Sequence, residues 1–461
     1  MKIDIPKSAR HIIDVLYDNG YEAFIVGGCV RDSLMGIKPK DWDITTSASP
    51  MEIKRLFPRT VDTGIQHGTV TVLIDKIGYE VTTYRIDGEY KDSRHPEDVI
   101  FTKDLTEDLK RRDFTINAMA YNDRVGIVDK FNGIDDLKKK LIKCVGIPQE
   151  RFSEDALRIL RAIRFSAQLD FTIDGKTRKA IQELSYTLAN ISAERIKVEM
   201  DKILLSSQPA KIRDACVLGL TKVFLPEFDA LVGIQQENPN HMYNVDEHTL
   251  HAIVSLSEML ANERTLKIDG TPYSSKEKLM MMWTMLLHDI GKPSCKYYDD
   301  KGIAHFKKHD IVGVDMASKV YARLKFDRYT SDTSKKIIKW HDYRFTNTPV
   351  SMRRAMNRIG TDIFDYLFLI KRADTMAQNI DTVEEKLKDL EISYGLFRKI
   401  YESDQCVSLK ELAISGADLI EYGIKPGKEI GEYLKKLLEM VIDKPELNKR
   451  EILLEKLKEL K

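Results

Sequence analysis

The chain has 461 residues, 43% hydrophobic and 31% charged, and its 73 Lys+Arg against 72 Asp+Glu give a formal net charge of +1. That length makes roughly three domains the starting expectation, and the near-zero charge means that any nucleic-acid surface is a local basic patch. A run of about 18 apolar residues and a charged-apolar-small leader are both missing, which argues against a membrane span or signal peptide; the scattered Cys29, Cys144, Cys216, Cys295 and Cys406 fit a reducing cytoplasm.

Ile3, Ile5, Ile12, Ile13, Val15 and Leu16 recur at helical spacing over residues 2–20, and Asn19-Gly20 supplies the stop. Tyr21 to Val26 reads as a strand. Gly27 and Gly28 then let the backbone approach a ligand, and a helix beginning near Val30 turns its N–H groups and positive dipole end toward a phosphate, with Arg31 adding a charge-assisted contact. In Asp41-Trp42-Asp43-Ile44-Thr45, residues two apart on a strand share a face, so both carboxylates meet at one spot. Such a pair suits Mg2+, which takes oxygen ligands and leaves positions for phosphate. An exposed turn is the bland alternative for Asp-x-Asp; its place after Gly27-Gly28-x-x-Arg31-Asp32 favours the metal.

Val70–Ile74 and Tyr79–Tyr84 read as a hairpin turning through Asp75–Gly78, with Glu80 as a third ligand or metal orienter. Asp87–Asp108 is polar and loop-like. In Arg111–Ala120 the arginines suit a triphosphate and Asp113 and Asn117 suit ribose hydroxyls, against the plainer reading of a capped helix with surface arginines. Glu154–Phe165 reads as one amphipathic helix with Asp155 and Arg158 on one face. That pair is either an intrahelical salt bridge or a base reader. A carboxylate accepts from the exocyclic amino group of cytosine or adenine while a guanidinium donates to the ring acceptors, which selects C and A together. Residues 166–235 read as helical scaffold, with Ser192 as an N-cap.

Seven of the ten histidines lie between 241 and 341. His248 falls in a helical stretch. An apolar helix, Lys278–Leu287, runs into His288-Asp289-Ile290-Gly291-Lys292 with Gly291 as its stop, and His309, His341 and Asp374 follow on flanking helical segments. Adjacent His and Asp with further His and Asp nearby suit a divalent metal. Near the end, the Gly423–Gly431 turn is either a phosphate-holding loop or a plain link between helices.

Gly27-Gly28-x-Val30-Arg31-Asp32 with Asp41-x-Asp43, Arg111–Ala118, and Glu154-Asp155-x-x-Arg158-x-x-Arg161 together resemble the bacterial branch (class II) of the polymerase-β-like nucleotidyltransferases. That branch holds the CCA-adding enzymes, or tRNA nucleotidyltransferases, and the poly(A) polymerases. The resemblance covers about the first 200 residues and implies an α+β fold. A polymerase-β-like head, a small mixed sheet with helices, is expected at 1–150 and an all-α neck with the base-reading helix at 151–235. An HD phosphohydrolase-like domain is expected at 236–400, and a helical tail, a candidate tRNA contact, at 401–461. By the same resemblance Asp41 and Asp43 would hold two Mg2+ ions with Glu80 as acidic partner, and Gly27, Gly28, Arg31, Arg112, Asp113 and Asn117 would bind the nucleotide. Asp155 and Arg158, supported by Glu154 and Arg161, would be the template for CTP or ATP. His248, His288, Asp289 and Asp374 match an HD metal set, and His309 and His341 a second HD metal, of unassigned identity. An intact set implies a second activity, such as cyclic phosphodiesterase or phosphatase action on RNA ends.

The expected function is template-independent addition of CCA to tRNA in the cytoplasm. Arg111, Lys138, Lys139, Lys140, Arg195 and Lys197 are candidates for tRNA phosphates. The alternatives are a poly(A) polymerase, an A-only or CC-only enzyme, or an RNA-binding HD hydrolase with a silent head. Asp92 and Arg94 in the 87–96 loop favour a full CCA enzyme or an A-adder.

Overall fold

A computed structural model describes residues 2–87 and 99–460, so the expectation for Asp92 and Arg94 falls outside the described residues. The chain divides into two units, Met1–Pro226 and Glu227–Lys461.

In the first unit the strands are β1 (Ala23–Val26), β2 (Ile44–Thr46), β3 (Thr60–Gly64), β4 (Thr69–Ile74), β5 (Ile77–Thr83), β6 (Arg85–Asp87), β7 (Val99–Phe101), β8 (Met119–Asn122) and β9 (Gly126–Asp129). Among the described residues one seven-stranded sheet forms in the order β3-β4-β5-β2-β1-β8-β9. β2 and β5 run parallel and the other neighbours antiparallel, which makes the sheet mixed. Alternation along β1 explains how both faces are covered. Ala23 and Ile25 join Ile12, Ile13 and Leu16 of the Lys7–Asp18 helix in one cluster, while Phe24 and Val26 join Tyr84, Leu109 and Ala120 in another.

The first helix starts at Lys7 rather than near residue 2, because Pro6 occupies the N-cap; Ile3 and Ile5 are still buried, in extended chain ahead of it. The β4–β5 turn is tighter than expected, with Asp75 and Lys76 both at positive φ (51° and 66°). Helix Glu154–Phe165 is not continuous. Helices Pro148–Glu154 and Leu157–Leu169 flank an extended Asp155 at φ −137°, ψ 103°. Asp155 Oδ1 accepts from the Leu157 N–H at 3.0 Å, a local bond that competes with helix continuation. Asp155 and Arg158 therefore do not share one helix face. Ser192 does sit at the N-cap of Ala193–Leu204, but its side chain makes no capping bond.

The second unit is mainly helical. Ser275–Leu287 opens with a capping box between Ser274 and Glu277 and buries every side chain from Met280 to Leu287. Helices Val245–Ala261, His309–Arg323, Arg328–Trp340 and Phe364–Met376 carry the histidine-rich cluster. Gly291 is not a left-handed stop, since its φ is −79°. It is needed for approach: a Cβ there would lie 2.2 Å from the His309 carbonyl oxygen. Helices Gly416–Glu421, Lys428–Asp443 and Arg450–Leu460 close over their own apolar cluster, including Leu437, Val441, Leu453 and Leu457. Among the described residues no helix is long and apolar enough to cross a membrane.

Candidate active sites

At the end of β1, Gly27 adopts φ 79° and opens the Gly28–Leu34 helix. A Cβ at Gly27 would lie 3.1 Å from Arg112 Nη1, so the bare backbone makes room for that guanidinium. Arg31, one turn into the helix, donates to Asn117 Oδ1 at 2.7 Å and to Asp32 at 2.6 Å. Asn117 in turn donates to Asp113 Oδ1 at 3.2 Å, and Arg161 grips Asp113 Oδ2 with two N–H groups at 2.9 and 2.6 Å. Burial alone would raise the Asp113 carboxyl; the Arg161 charge and its hydrogen bonds, with help from Asn117 and Arg158, outweigh this and hold it at about 2.

Asp41 and Asp43 lie just ahead of β2 rather than within it, and both are exposed. The Asp43 carbonyl still accepts from the Val26 N–H at 3.0 Å, which ties the segment to β1. In the parallel register Ile44 pairs with Val81, so one step back Asp43 meets Glu80. Desolvation and then the Glu80 charge raise the Asp43 carboxyl, Arg112 opposes them, and Asp41 raises it further. Three carboxylates crowding one exposed edge fit a hard divalent cation, whose charge would relieve their repulsion.

The expected base-reading residues come from both sides of the helix break. Asp155 Oδ2 accepts from Arg195 Nη2 at 3.0 Å. Arg158 instead bonds Glu154 Oε2 at 2.5 Å, the Arg151 carbonyl at 3.1 Å and the Arg111 carbonyl at 3.0 Å. The two proposed readers stay adjacent, the Arg158 N–H donating to the Asp155 carbonyl at 3.0 Å, while their side chains engage different partners.

Some residues unremarked in the sequence hold this site together. Buried Asp108 binds Arg111 at 2.7 Å and Arg112 at 3.2 Å. Burial would raise its carboxyl, but the two arginines leave it lowered. Phe165 lies beneath the guanidinium groups of Arg31, Arg161 and Arg164, at 5.3, 5.5 and 4.0 Å from its ring centre. Buried Arg164 pairs with buried Glu199 at 3.1 Å, and burial, reinforced by Arg161, pushes its guanidinium down to about 10. The arginine-rich spacing gave notice of cations but not of their anionic partners: Asp108 lies one turn ahead of Arg111 and Arg112, and Glu199 lies on a different helix from Arg164. Of the tRNA-phosphate candidates, Lys138, Lys139 and Lys140 are exposed, whereas Arg111 and Arg195 are directed at Asp108 and Asp155 and Lys197 reaches Asp201 at 2.6 Å.

In the second unit the six expected ligands converge. His248 Nε2 lies 2.8 Å from Asp374 Oδ1 and 3.6 Å from Asp289 Oδ2, and His288 Nε2 lies 3.1 Å from Asp289 Oδ2. His309 and His341 each place Nε2 3.6 Å from Asp289 Oδ1 and 3.1 Å from one another. Asp289 therefore faces two groups, His248-His288-Asp289 and Asp289-His309-His341, each with its ligand atoms within 4.8 Å.

Tautomers follow from the backbone. Nδ1 of His248, His288, His309 and His341 lies 3.0, 2.7, 2.8 and 2.7 Å from the carbonyl oxygens of Ala377, Met285, Phe306 and Ile338. A carbonyl only accepts, so each Nδ1 donates and each Nε2 turns inward as a ligand. Both Asp289 oxygens and His288 Nε2 are buried and turned into this cluster, and the donor set fits divalent metal ions. Burial would lower His288, but Asp289 and Asp374 raise it to about 10. Asp374 is held well below the usual range against burial by His248 and His288.

Lys292 bonds Asp289 Oδ2 at 2.7 Å and Gln236 Oε1 at 2.9 Å. His241, packed edge-on to His248 at 5.0 Å, has a buried Nδ1 without a hydrogen-bond partner. Both line a cavity of about 940 Å³ that also reaches Asp289, Asp374, His309 and His341. The histidine clustering was the signal for His241; the three-residue step from Asp289 was the signal for Lys292.

A mixed sheet carrying a glycine cradle and an acidic edge, with a separate two-carboxylate, four-histidine centre, defines a polymerase-type nucleotidyltransferase joined to an HD domain. Family models agree: the poly A polymerase head domain matches residues 23–143, the HD domain 245–379, and a tRNA nucleotidyltransferase domain 2 residues 317–457. A CCA-adding enzyme of Limosilactobacillus reuteri is 35% identical over 455 residues, 98% of this chain and 96% of the relative. One of Bacillus velezensis is 36% identical over 94% of this chain and 93% of the relative. The crystal structure of the Bacillus stearothermophilus CCA-adding enzyme in complex with CTP matches with a TM-score of 0.68 at 27% identity, covering 98% of this chain and 96% of that one. The Thermotoga maritima CCA-adding enzyme complexed with tRNA shares the fold, with a TM-score of 0.61 at 22% identity over the full length of both chains. The chain belongs to the CCA-adding enzyme family of tRNA nucleotidyltransferases.

Proposed function

We propose that this chain completes the 3′ end of tRNA by adding C, C and A from CTP and ATP, in the cytoplasm. The observation that carries the reading is the continuous run Arg31–Asn117–Asp113–Arg161, which ties the glycine cradle to the segment that would read the base. The names of the full-length relatives support it.

The 3′-hydroxyl of the tRNA attacks the α-phosphorus of the bound nucleotide; the new phosphodiester bond forms as the bond to pyrophosphate breaks. Asp41, Asp43 and Glu80 would hold Mg2+, which when bound offsets the charge on the phosphates and favours ionisation of the attacking hydroxyl. Arg31, Arg112 and the N-terminal N–H groups of the Gly28–Leu34 helix hold the triphosphate. Asp113, whose oxygens accept from Phe114 N, Asn117 and Arg161, keeps those groups in place, and Asn117 borders the ribose. Asp155 accepts from the amino group of cytosine or adenine and Arg158 donates to the ring acceptor beside it, with Glu154 and Arg161 in support. Lys138, Lys139 and Lys140 meet tRNA phosphates.

Extension of tRNA lacking its tail, with each nucleotide alone and then together, tests this. Ordered gain of C, C and A is expected, and repeated incorporation of A alone would make the enzyme a poly(A) polymerase.

A second reading rests on Asp289 standing between two histidine pairs. We propose that the HD site hydrolyses phosphate esters at RNA ends, with His248, His288, Asp289, Asp374, His309 and His341 as metal ligands. Hydrolysis of a 2′,3′-cyclic phosphate or a terminal phosphate on a short RNA tests it, and loss of neither in a His288→Ala variant would refute it.

A further inference from the structure

One wall of the cavity in the second unit carries three cations without an anion to balance them. Lys371 lies one turn ahead of Asp374 on the Phe364–Met376 helix, on the same face. Its ammonium nevertheless donates to the His341 carbonyl at 2.7 Å, while Asp374 Oδ1 faces His248 Nε2 at 2.8 Å and Oδ2 accepts from Gln378 at 3.2 Å. Lys386 donates to two neutral oxygens, Asn240 Oδ1 at 3.0 Å and Gln378 Oε1 at 2.8 Å. Arg344 lines the same cavity, is exposed, and acts electrostatically on both lysines. Among the described residues none of the three forms an ion pair, in contrast to Lys292 on Asp289; the exposed Asp342 carboxylate acts on Lys371 only from a distance.

Cations gathered without carboxylate partners raise the local potential and favour an anion from outside, and ammonium and guanidinium donors suit a phosphate. The cavity, about 940 Å³, lies at the upper end of the range for small-molecule sites, with room beyond a single phosphate ester on the metal centre. We propose that Lys371, Lys386 and Arg344 form a second phosphate subsite, so that the HD centre takes organic phosphates bearing two phosphates, one to be cleaved and one to be held. The inference rests on the reading of this centre as a phosphate-ester hydrolase. His341 joins the two subsites: its ring belongs to the metal set and its carbonyl fixes Lys371. The held phosphate is either the diester before the last nucleotide of an RNA or a second terminal phosphate on one nucleoside.

The test is equilibrium binding to the full-length protein loaded with Mn2+, using uridine ligands whose 3′-phosphate is replaced by a CH2-linked phosphonate, so that nothing is cleaved. Three are compared: the nucleoside phosphonate alone, the same compound with a 5′-phosphate, and the dinucleotide in which a phosphodiester precedes the phosphonate. Wild type is expected to bind at least one of the two-phosphate ligands about tenfold or more tightly than the one-phosphate ligand. A gain for the dinucleotide alone assigns the held phosphate to an RNA chain, and a gain for the 5′-phosphate ligand alone assigns it to a nucleoside bisphosphate. Arg344→Gln and Lys371→Met are each expected to cut the gain to about threefold or less, with one-phosphate binding moved by less than about twofold. Lys371 touches the backbone of a metal ligand, so Mn2+ content is measured in each variant, and Lys386→Met stands in if Lys371→Met loses metal. No gain in wild type, or an undiminished gain in the variants, would overturn the proposal. The underlying reading has its own readout: the one-phosphate ligand should bind about tenfold more weakly after chelator treatment. Absence of that metal dependence defeats the hydrolase reading, whereas metal dependence without a gain from the second phosphate defeats the subsite alone.

Discussion

Asp113 and Arg161, 48 residues apart, form a two-pronged ion pair with Asp113 all but buried. The pair holds the Asp113 carboxyl at about 2, below the roughly 3.9 of an unfolded chain. A depressed carboxylate contributes stability that is full above about pH 4 and lost as pH falls toward 2. Asp113→Asn should therefore cost about 2 kcal/mol at pH 7, with the gap to wild type closing over that acid range. Urea unfolding at pH 7, 4 and 2.5 checks this; a gap unchanged at pH 2.5 would show that the loss is not electrostatic.

Separate acidic and histidine-rich sites predict separable losses. Asp43→Ala removes a carboxylate from the edge it shares with Glu80 and Asp41 and should lower nucleotide addition by about a thousandfold or more, leaving phosphatase activity intact. His288→Ala should do the reverse. Both variants are assayed for extension and for phosphate release, and loss of both activities in either folded single variant would defeat the two-site account.

Gly291 admits no side chain, since a Cβ would meet backbone at the His309 carbonyl. Gly291→Ala should destabilise the second unit by about 2 kcal/mol or more and reduce its metal content, because the His309–Arg323 helix would be pushed away from Asp289. Calorimetry and elemental analysis give the two readouts. A wild-type melt with full metal content would contradict the packing argument.

Proton release offers a metal readout independent of turnover. Asp289 and Asp374 raise His288 to about 10, so at pH 8 the metal-free site retains a proton that coordination must displace. Titrating Mn2+ into chelator-treated protein in weak buffer should release up to one proton per site at pH 8. The same shift sets a sign for the metal-free protein: its contribution to stability is present below about pH 6.5 and fades as pH rises toward 10. Absence of proton release despite measured Mn2+ binding would place the metal elsewhere.

The two clusters were legible in the sequence because their signals are local: Gly27-Gly28, Asp41-x-Asp43 and His288-Asp289 each lie within a few residues, while the mixed sheet was expected from the family resemblance. What escaped was set by distance and by competition between local bonds. The partnership of Glu199 with Arg164, 35 residues apart, joins segments that no periodicity links. Asp155 looked helical because its neighbours favour helix, yet its own side chain bonds the Leu157 N–H and breaks the run. Gly291 read as a stop because glycine commonly ends helices, whereas its αR backbone and the nearby His309 carbonyl show a packing requirement instead.

Asp289 stands between two histidine pairs, and the imidazoles around it are neutral ligands. Two dications there would meet two carboxylates among the candidate ligands, Asp289 and Asp374, with Lys292 offsetting one of those charges. A loaded centre is then short of negative charge and completes itself with an anion from outside. By reciprocity, an anion that binds more tightly to the loaded centre must also tighten the hold on the metals, so the affinity of this unit for its ions is partly a property of the anion it holds.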